Sequence, residues 1–167
     1  MLFRSGDLFS PAELLSQEVN ADDTPRDITR KVFQDMIDAL QETQKMLDYN
    51  ALERAIDIVA KTERIDAYGY GGSGNIAQDI AHRFMRFGLD VHAYSDPHLQ
   101  IASASLLKPS DVVIAISHTG ASIDLLKVLE MARSRGSKII LITSYLKSPA
   151  TKLADVVLTG KIGRAHV

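Results

Sequence analysis

Residues 112–122 read Val112-Val113-Ile114-Ala115-Ile116-Ser117-His118-Thr119-Gly120-Ala121-Ser122. The continuous apolar run has the length of a strand and predicts a central one, buried on both faces. It stops at clustered hydroxyls and a glycine, and an amphipathic run from Ile123 to Arg135 follows at once. A strand that turns into a helix at such a cluster suits the oxygens of a phosphate. Backbone N–H groups at a helix start lack intrahelical partners, and the helix dipole adds partial positive charge there. Gly71-Gly72-Ser73-Gly74, ahead of a helix predicted over Asn75–Phe87, is a second junction of this kind.

Outward from this stretch, strand-length apolar runs recur at Ile65–Tyr70, Val91–Tyr94, Ile139–Thr143 and Val156–Leu158. Helical patterns separate them at Asn75–Phe87, Pro97–Leu106, Ser122–Arg135 and Ser148–Ala154. Strands alternating with helices imply right-handed crossovers and a parallel sheet covered on both faces. The fold class expected is a three-layer α/β sandwich with a five-stranded parallel sheet in the flavodoxin-like order 2-1-3-4-5, preceded by helices. Thr24-Pro25 opens the longest of these. Its apolar positions Ile28, Val32, Met36, Leu40 and Leu47 recur at helical spacing, and its opposite face is charged or polar. A further helix is expected over Asn50–Lys61.

The 167 residues are 46% hydrophobic and 24% charged, as in one globular domain. A formal net charge of −2 gives no reason to expect a nucleic-acid surface on this chain. The absence of Cys excludes a disulfide framework, a thiolate zinc site and a thiol nucleophile. No apolar run approaches the roughly 20 residues of a transmembrane helix, and no signal-peptide pattern is visible, so a cytoplasmic protein with no membrane partner is expected.

Both ends invite a different reading. Residues 1–5 can be encoded GTG-CTC-TTC-CGA-TCT and residues 162–166 ATC-GGA-AGA-GCA-CAC. These strings are reverse complements over most of their length and match a common sequencing adapter. Residues 1–5 and 161–167 are therefore expected to be adapter-derived tails on a fragment of a longer gene. Residues 6–23 are expected to be the remnant of an N-terminal region and a linker, with a helix start at Ser10-Pro11, and residues 24–160 the helical lead-in and α/β domain.

In the order 2-1-3-4-5, strands one and three are neighbours, and ligands bind beyond their carboxyl ends where the strand order reverses. The loops there supply the hydroxyls of Ser73, Ser117, Thr119 and Ser122 and contain no Lys or Arg. Neutral donors and helix starts suit reversible binding of a phosphorylated metabolite, and hydroxyls suit a sugar. The plainer alternative is that Ser122 and Ser73 or Asn75 merely cap their helices. His118, between Ser117 and Thr119, can hydrogen-bond a sugar hydroxyl or move a proton. Ser144-Tyr145, after the fourth strand, is the nearest rival site. Gly69-Tyr70-Gly71-Gly72-Ser73-Gly74 also satisfies G-x-G-x-x-G, with Asp96 near the end of the second strand, which would suit a dinucleotide. That alternative leaves the hydroxyl-rich third-strand loop without a role. His92, Asp96 and His98 match no metal-ligand spacing and read as solvated loop; no metal or cofactor is expected.

At these residues the chain resembles the SIS (sugar isomerase) domain family. Its pattern is a glycine–serine loop after the first strand, here Gly72-Ser73-Gly74, and a serine-rich loop after the third, here Ser117–Ser122. The resemblance spans about Ala51–Gly160. It implies phosphosugar contacts from Ser73, Ser117, Thr119 and Ser122, with Gly72, Gly74, His118 and Gly120 beside them. Within the family the chain looks most like RpiR-type transcriptional regulators, in the Asp22-Asp23-Thr24-Pro25 linker, the helix carrying Val32-Phe33, and Ser-His-Thr-Gly at the third strand. That resemblance implies a homodimer or higher oligomer that reaches DNA only through a helix-turn-helix, of which Leu8–Val19 is at most the last helix. The alternatives are an SIS-type aldose–ketose isomerase, for which His118 is the sole convincing base, and the dinucleotide-binding oxidoreductase domain.

Overall fold

The computed structural model describes residues 20–160. The expectations for residues 1–19 and 161–167, including the helix start at Ser10, lie outside them. The chain divides into two units, residues 46–160 and a separate one that holds the first helix.

That helix, α1 (Pro25–Met46), begins as expected. Thr24 and Asp27 cap it reciprocally, each side chain accepting the other's backbone N–H at 3.2 Å. Both Asp27 and Asp23 are held below the ordinary carboxylate range. For Asp27 the cause is hydrogen bonding to Thr24, and for Asp23 it is chiefly the Lys31 ammonium. No residue of α1 is buried, and Phe33, Met36, Ile37 and Leu40 on its apolar face are exposed.

The second unit runs α2 (Tyr49–Ala60), β1 (Ile65–Tyr68), α3 (Gly72–Met85), β2 (Val91–Tyr94), α4 (Pro97–Ser105), β3 (Val112–Ile116), α5 (Ile123–Ser134), β4 (Lys138–Thr143), a 3-10 helix (Pro149–Lys152) and β5 (Val156–Thr159). All strand pairs are parallel, in the order β2-β1-β3-β4-β5. The fold class is therefore the three-layer, 2-1-3-4-5 sandwich. This order is not the 3-2-1-4-5 of dinucleotide-binding domains. Every residue of β3 is buried, which is why its sequence is unbroken by polar residues.

The two faces of the sheet carry separate cores. Ile65, Ala67, Val112, Ile114 and Ile116 pack toward Ala51 and Ala55 of α2 and Ala77 and Ala81 of α3. Tyr68, Val113 and Ala115 pack toward Ala104 of α4 and Leu125, Val128 and Leu129 of α5. One charged group is wholly buried on this second side. Asp66 accepts from Arg64 Nε at 2.8 Å and Tyr68 Oη at 2.9 Å, and from Ser103 Oγ of α4. Arg64 also donates to Ser103 Oγ at 3.1 Å. The network ties α4 to β1 and satisfies every hydroxyl it buries. The Arg64 guanidinium is raised by its Asp66 bond, and burial raises the Tyr68 phenol.

Candidate functional site

Strand register brings the two glycine–hydroxyl junctions to one edge of the sheet. Tyr68 of β1 pairs with Ala115 of β3 and with Tyr94 of β2, so the loops that follow leave as neighbours. The first junction differs from the expectation. Helix α3 begins at Gly72 rather than Asn75, so Gly72, Ser73 and Gly74 form its first turn. The helix starts early because Gly71, at φ +52, turns the chain in a region that other residues rarely enter. The N–H groups of Ser73 and Gly74 close onto the carbonyls of Tyr70 and Gly71 at 3.0 Å each. Donors left for a ligand here are the Ser73 hydroxyl and the Gly72 N–H, neither with a protein partner. The other glycines of the motif serve close packing. A Cβ on Gly69 would collide with the Ser73 carbonyl, and one on Gly74 would lie 2.9 Å from Ser95 Cβ.

The second junction is a hydroxyl-lined turn. Ser117 Oγ accepts the Gly120 N–H at 3.1 Å, and Thr119 Oγ1 accepts the Ala121 N–H at 3.3 Å. A hydroxyl whose oxygen already accepts still has its proton to donate. Ser122 is the N-cap of α5, yet its side chain makes no capping bond. Capping therefore does not account for this serine. Its hydroxyl and the N–H groups of Ser122, Ile123 and Asp124 have no intramolecular acceptor. Gly120, at φ +60, lies so close to Ser148 that a Cβ would collide with its side chain.

Ser144 and Tyr145, which the sequence offers as a rival site, belong to this one. His118 Nδ1 is 3.0 Å from Ser144 Oγ, and the Tyr145 ring meets the imidazole edge-on with centroids 5.4 Å apart. The His118 carbonyl accepts from Thr143 Oγ1 and the Ser144 N–H, each at 3.1 Å. The β4 loop thus anchors His118 at backbone and ring, and leaves Nε2 without a protein partner. Adjacency of β3 and β4 is the signal that joins them.

Tyr70, next to the first junction, was missed by sequence reasoning. Its hydroxyl is buried and unpartnered. Its phenol is pushed up to about 12, chiefly by burial, with the Asp124 and Asp96 carboxylates adding to the shift. Tyr70 packs against the core that α4 and α5 cover. Asp96 itself caps α4, its Oδ1 accepting the N–H groups of His98 and Leu99 at 2.9 and 3.0 Å. His92 pairs with Asp90 at 3.0 Å, and Asp79 with Arg83 at 2.7 Å, both at the surface.

Fold and site together define a doubly wound α/β domain whose switch point is lined by neutral donors. The chain belongs to the SIS domain family, whose match covers residues 58–166. It is 37% identical over 153 residues to the HTH-type transcriptional regulator RpiR of Escherichia coli K12, which is 91% of this chain and 52% of the relative. It is 40% identical over 141 residues to the bifunctional protein glk of Paraburkholderia xenovorans, 84% of this chain and 22% of that protein. The chain thus spans about half, or less, of the curated relatives it matches. Among solved structures, the Vibrio vulnificus NanR protein complexed with ManNAc-6P superposes with a TM-score of 0.80 at 27% identity. That match covers 86% of this chain and 55% of NanR.

Proposed function

We propose that this chain is the effector-sensing part of an RpiR-type bacterial transcriptional regulator and binds a phosphorylated sugar at the loops after β1 and β3. The observation that carries the reading is the convergence of free donors at one switch point. Ser73 and Ser122 have unengaged hydroxyls, and Ser117 and Thr119, whose oxygens accept backbone N–H groups, keep their protons to donate. A phosphate takes those four, with the α5 N–H groups behind them. The similarity to RpiR and to NanR, the latter solved with ManNAc-6P, supports the same ligand class. Binding energy that differs between two arrangements of the whole regulator would shift it between them, and DNA would be met by a helix-turn-helix outside this chain. The exposed apolar face of α1 fits a homodimer or higher oligomer. A regulator of this kind works in the cytoplasm.

Thermal unfolding with ribose 5-phosphate, glucose 6-phosphate, fructose 6-phosphate and ManNAc-6P tests the reading. At least one should raise the melting temperature in a saturable way. Responses no larger than those to the unphosphorylated sugars would refute it. The second reading, an aldose–ketose isomerase, draws on His118, whose Nε2 has no protein partner. Interconversion of glucose 6-phosphate and fructose 6-phosphate, or the corresponding pentose pair, followed by NMR, would favour it.

A further inference from the structure

Among the described residues, three buried side-chain atoms lack a hydrogen-bond partner: Tyr70 Oη, Gln100 Oε1 and Ser148 Oγ. All three gather at the carboxyl edge of the sheet. Tyr70 follows β1. Gln100 Nε2 donates to the carbonyls of Gly69 at 3.2 Å and Tyr94 at 2.7 Å, at the ends of β1 and β2. Ser148 packs against Gly120 in the β3 loop. The Asp66 network shows that this protein satisfies buried polar groups elsewhere, as native proteins do. Unpartnered atoms that collect at one edge of the sheet mark a place where the missing partner comes from outside the chain.

Gln100 and Ser148 are buried as whole residues. Tyr70 is only partly buried as a residue, although its hydroxyl is enclosed. A phenol offers one donor and an acceptor. The Asp124 and Asp96 carboxylates act on it without bonding to it. Two carboxylates disfavour a phosphate at this spot, whereas a neutral sugar hydroxyl can accept from the phenol and donate in turn.

We propose that Tyr70 is a ligand contact whose hydroxyl bonds a sugar hydroxyl, so that the phosphosugar runs from Ser73, Ser117, Thr119 and Ser122 at its phosphate end to Tyr70 at its hydroxyl end. The proposal rests on the phosphosugar reading above and gives that ligand a direction. The hydroxyl is closed off from solvent, so contact includes a rotation of the Tyr70 side chain.

Tyr70→Phe keeps the ring and removes the hydroxyl alone. The 167-residue chain, wild type and Y70F, is titrated calorimetrically with inorganic phosphate and with the four sugar phosphates named above. Y70F should melt no lower than wild type, bind inorganic phosphate equally and bind the preferred sugar phosphate about tenfold more weakly. Equal sugar-phosphate affinity in the two proteins overturns the proposal. Parallel loss for both probes also overturns it, because Tyr70 would then act at the phosphate. A lower melting temperature for Y70F does so too, since the hydroxyl would have a structural partner. If wild type binds none of the four sugar phosphates, the phosphosugar reading itself fails and takes this proposal with it.

Discussion

Ser117→Ala and Thr119→Ala should have the same effect on ligand affinity and different effects on stability. Each removes one hydroxyl from the proposed phosphate site. A hydrogen bond to a charged group is worth about 1.5–3 kcal/mol, so each substitution should weaken sugar-phosphate binding about 10- to 150-fold. Their structural settings differ. Ser117 is 9% exposed, and its oxygen is the acceptor for the N–H of Gly120, which is itself buried. Alanine there leaves that N–H without a partner, at a cost of about 1–3 kcal/mol. For a domain of this size the melting temperature should fall by about 3–10 °C. Thr119 and Ala121 are both exposed, so the Ala121 N–H turns to water when Thr119 is truncated, and stability should move by less than about 0.5 kcal/mol. The assay is thermal unfolding of each variant alone, followed by calorimetric titration with the sugar phosphate preferred by wild type. Equal destabilisation of the two proteins without ligand would refute the assignment of the Gly120 bond. Wild-type affinity in T119A would refute the role given to its hydroxyl.

Three further outcomes are expected. Asp66→Ala removes the shared acceptor of Arg64, Tyr68 and Ser103 and should cost about 3–5 kcal/mol in urea unfolding, and much less in an R64A background, where Asp66 is already a buried charge without its cation. Gly120→Ala forces an L-residue to φ +60 and a Cβ into Ser148, so it should destabilise by about 1–3 kcal/mol, read from the urea midpoint at unchanged slope. At alkaline pH the sign follows from Tyr70. Its folded value near 12 exceeds the ordinary 10.0, so the unfolded chain gives up the proton first. The stability this contributes is present below pH 10 and is lost as pH rises toward 12, and the loss should be shallower in Y70F.

The strands and their order were legible because each apolar run is short, continuous and bounded by turn residues, as Val112–Ile116 shows. The start of α3 was not. Ser73 and Gly74 look like loop by composition, and only the left-handed Gly71 puts them in a helix. Asp96 satisfied a motif, but motif spacing says nothing about which acceptor a helix N-terminus will claim. The serines of the two junctions could be picked out from residue type. Whether Ser122 capped its helix could not, because that choice lies in a rotamer. Ser144 and Tyr145 were visible, but their contact with His118 was not, since it depends on the β3–β4 pairing in space. Tyr70 and Asp66 were passed over because their meaning lies in burial and partners, which one-dimensional pattern does not carry.

The loops after β1 and β3 contain no lysine or arginine. Phosphate sites built on such cations lose affinity as ionic strength rises, because exposed charges are screened over about 8 Å in physiological salt. A crevice of hydroxyls and backbone N–H groups acts at contact distance, where screening has little purchase. It also exerts little long-range pull, so encounter with the anion proceeds at an ordinary, unsteered rate. If the proposed sugar phosphate binds there, the response threshold of this domain should follow its concentration and stay nearly constant while the surrounding salt changes.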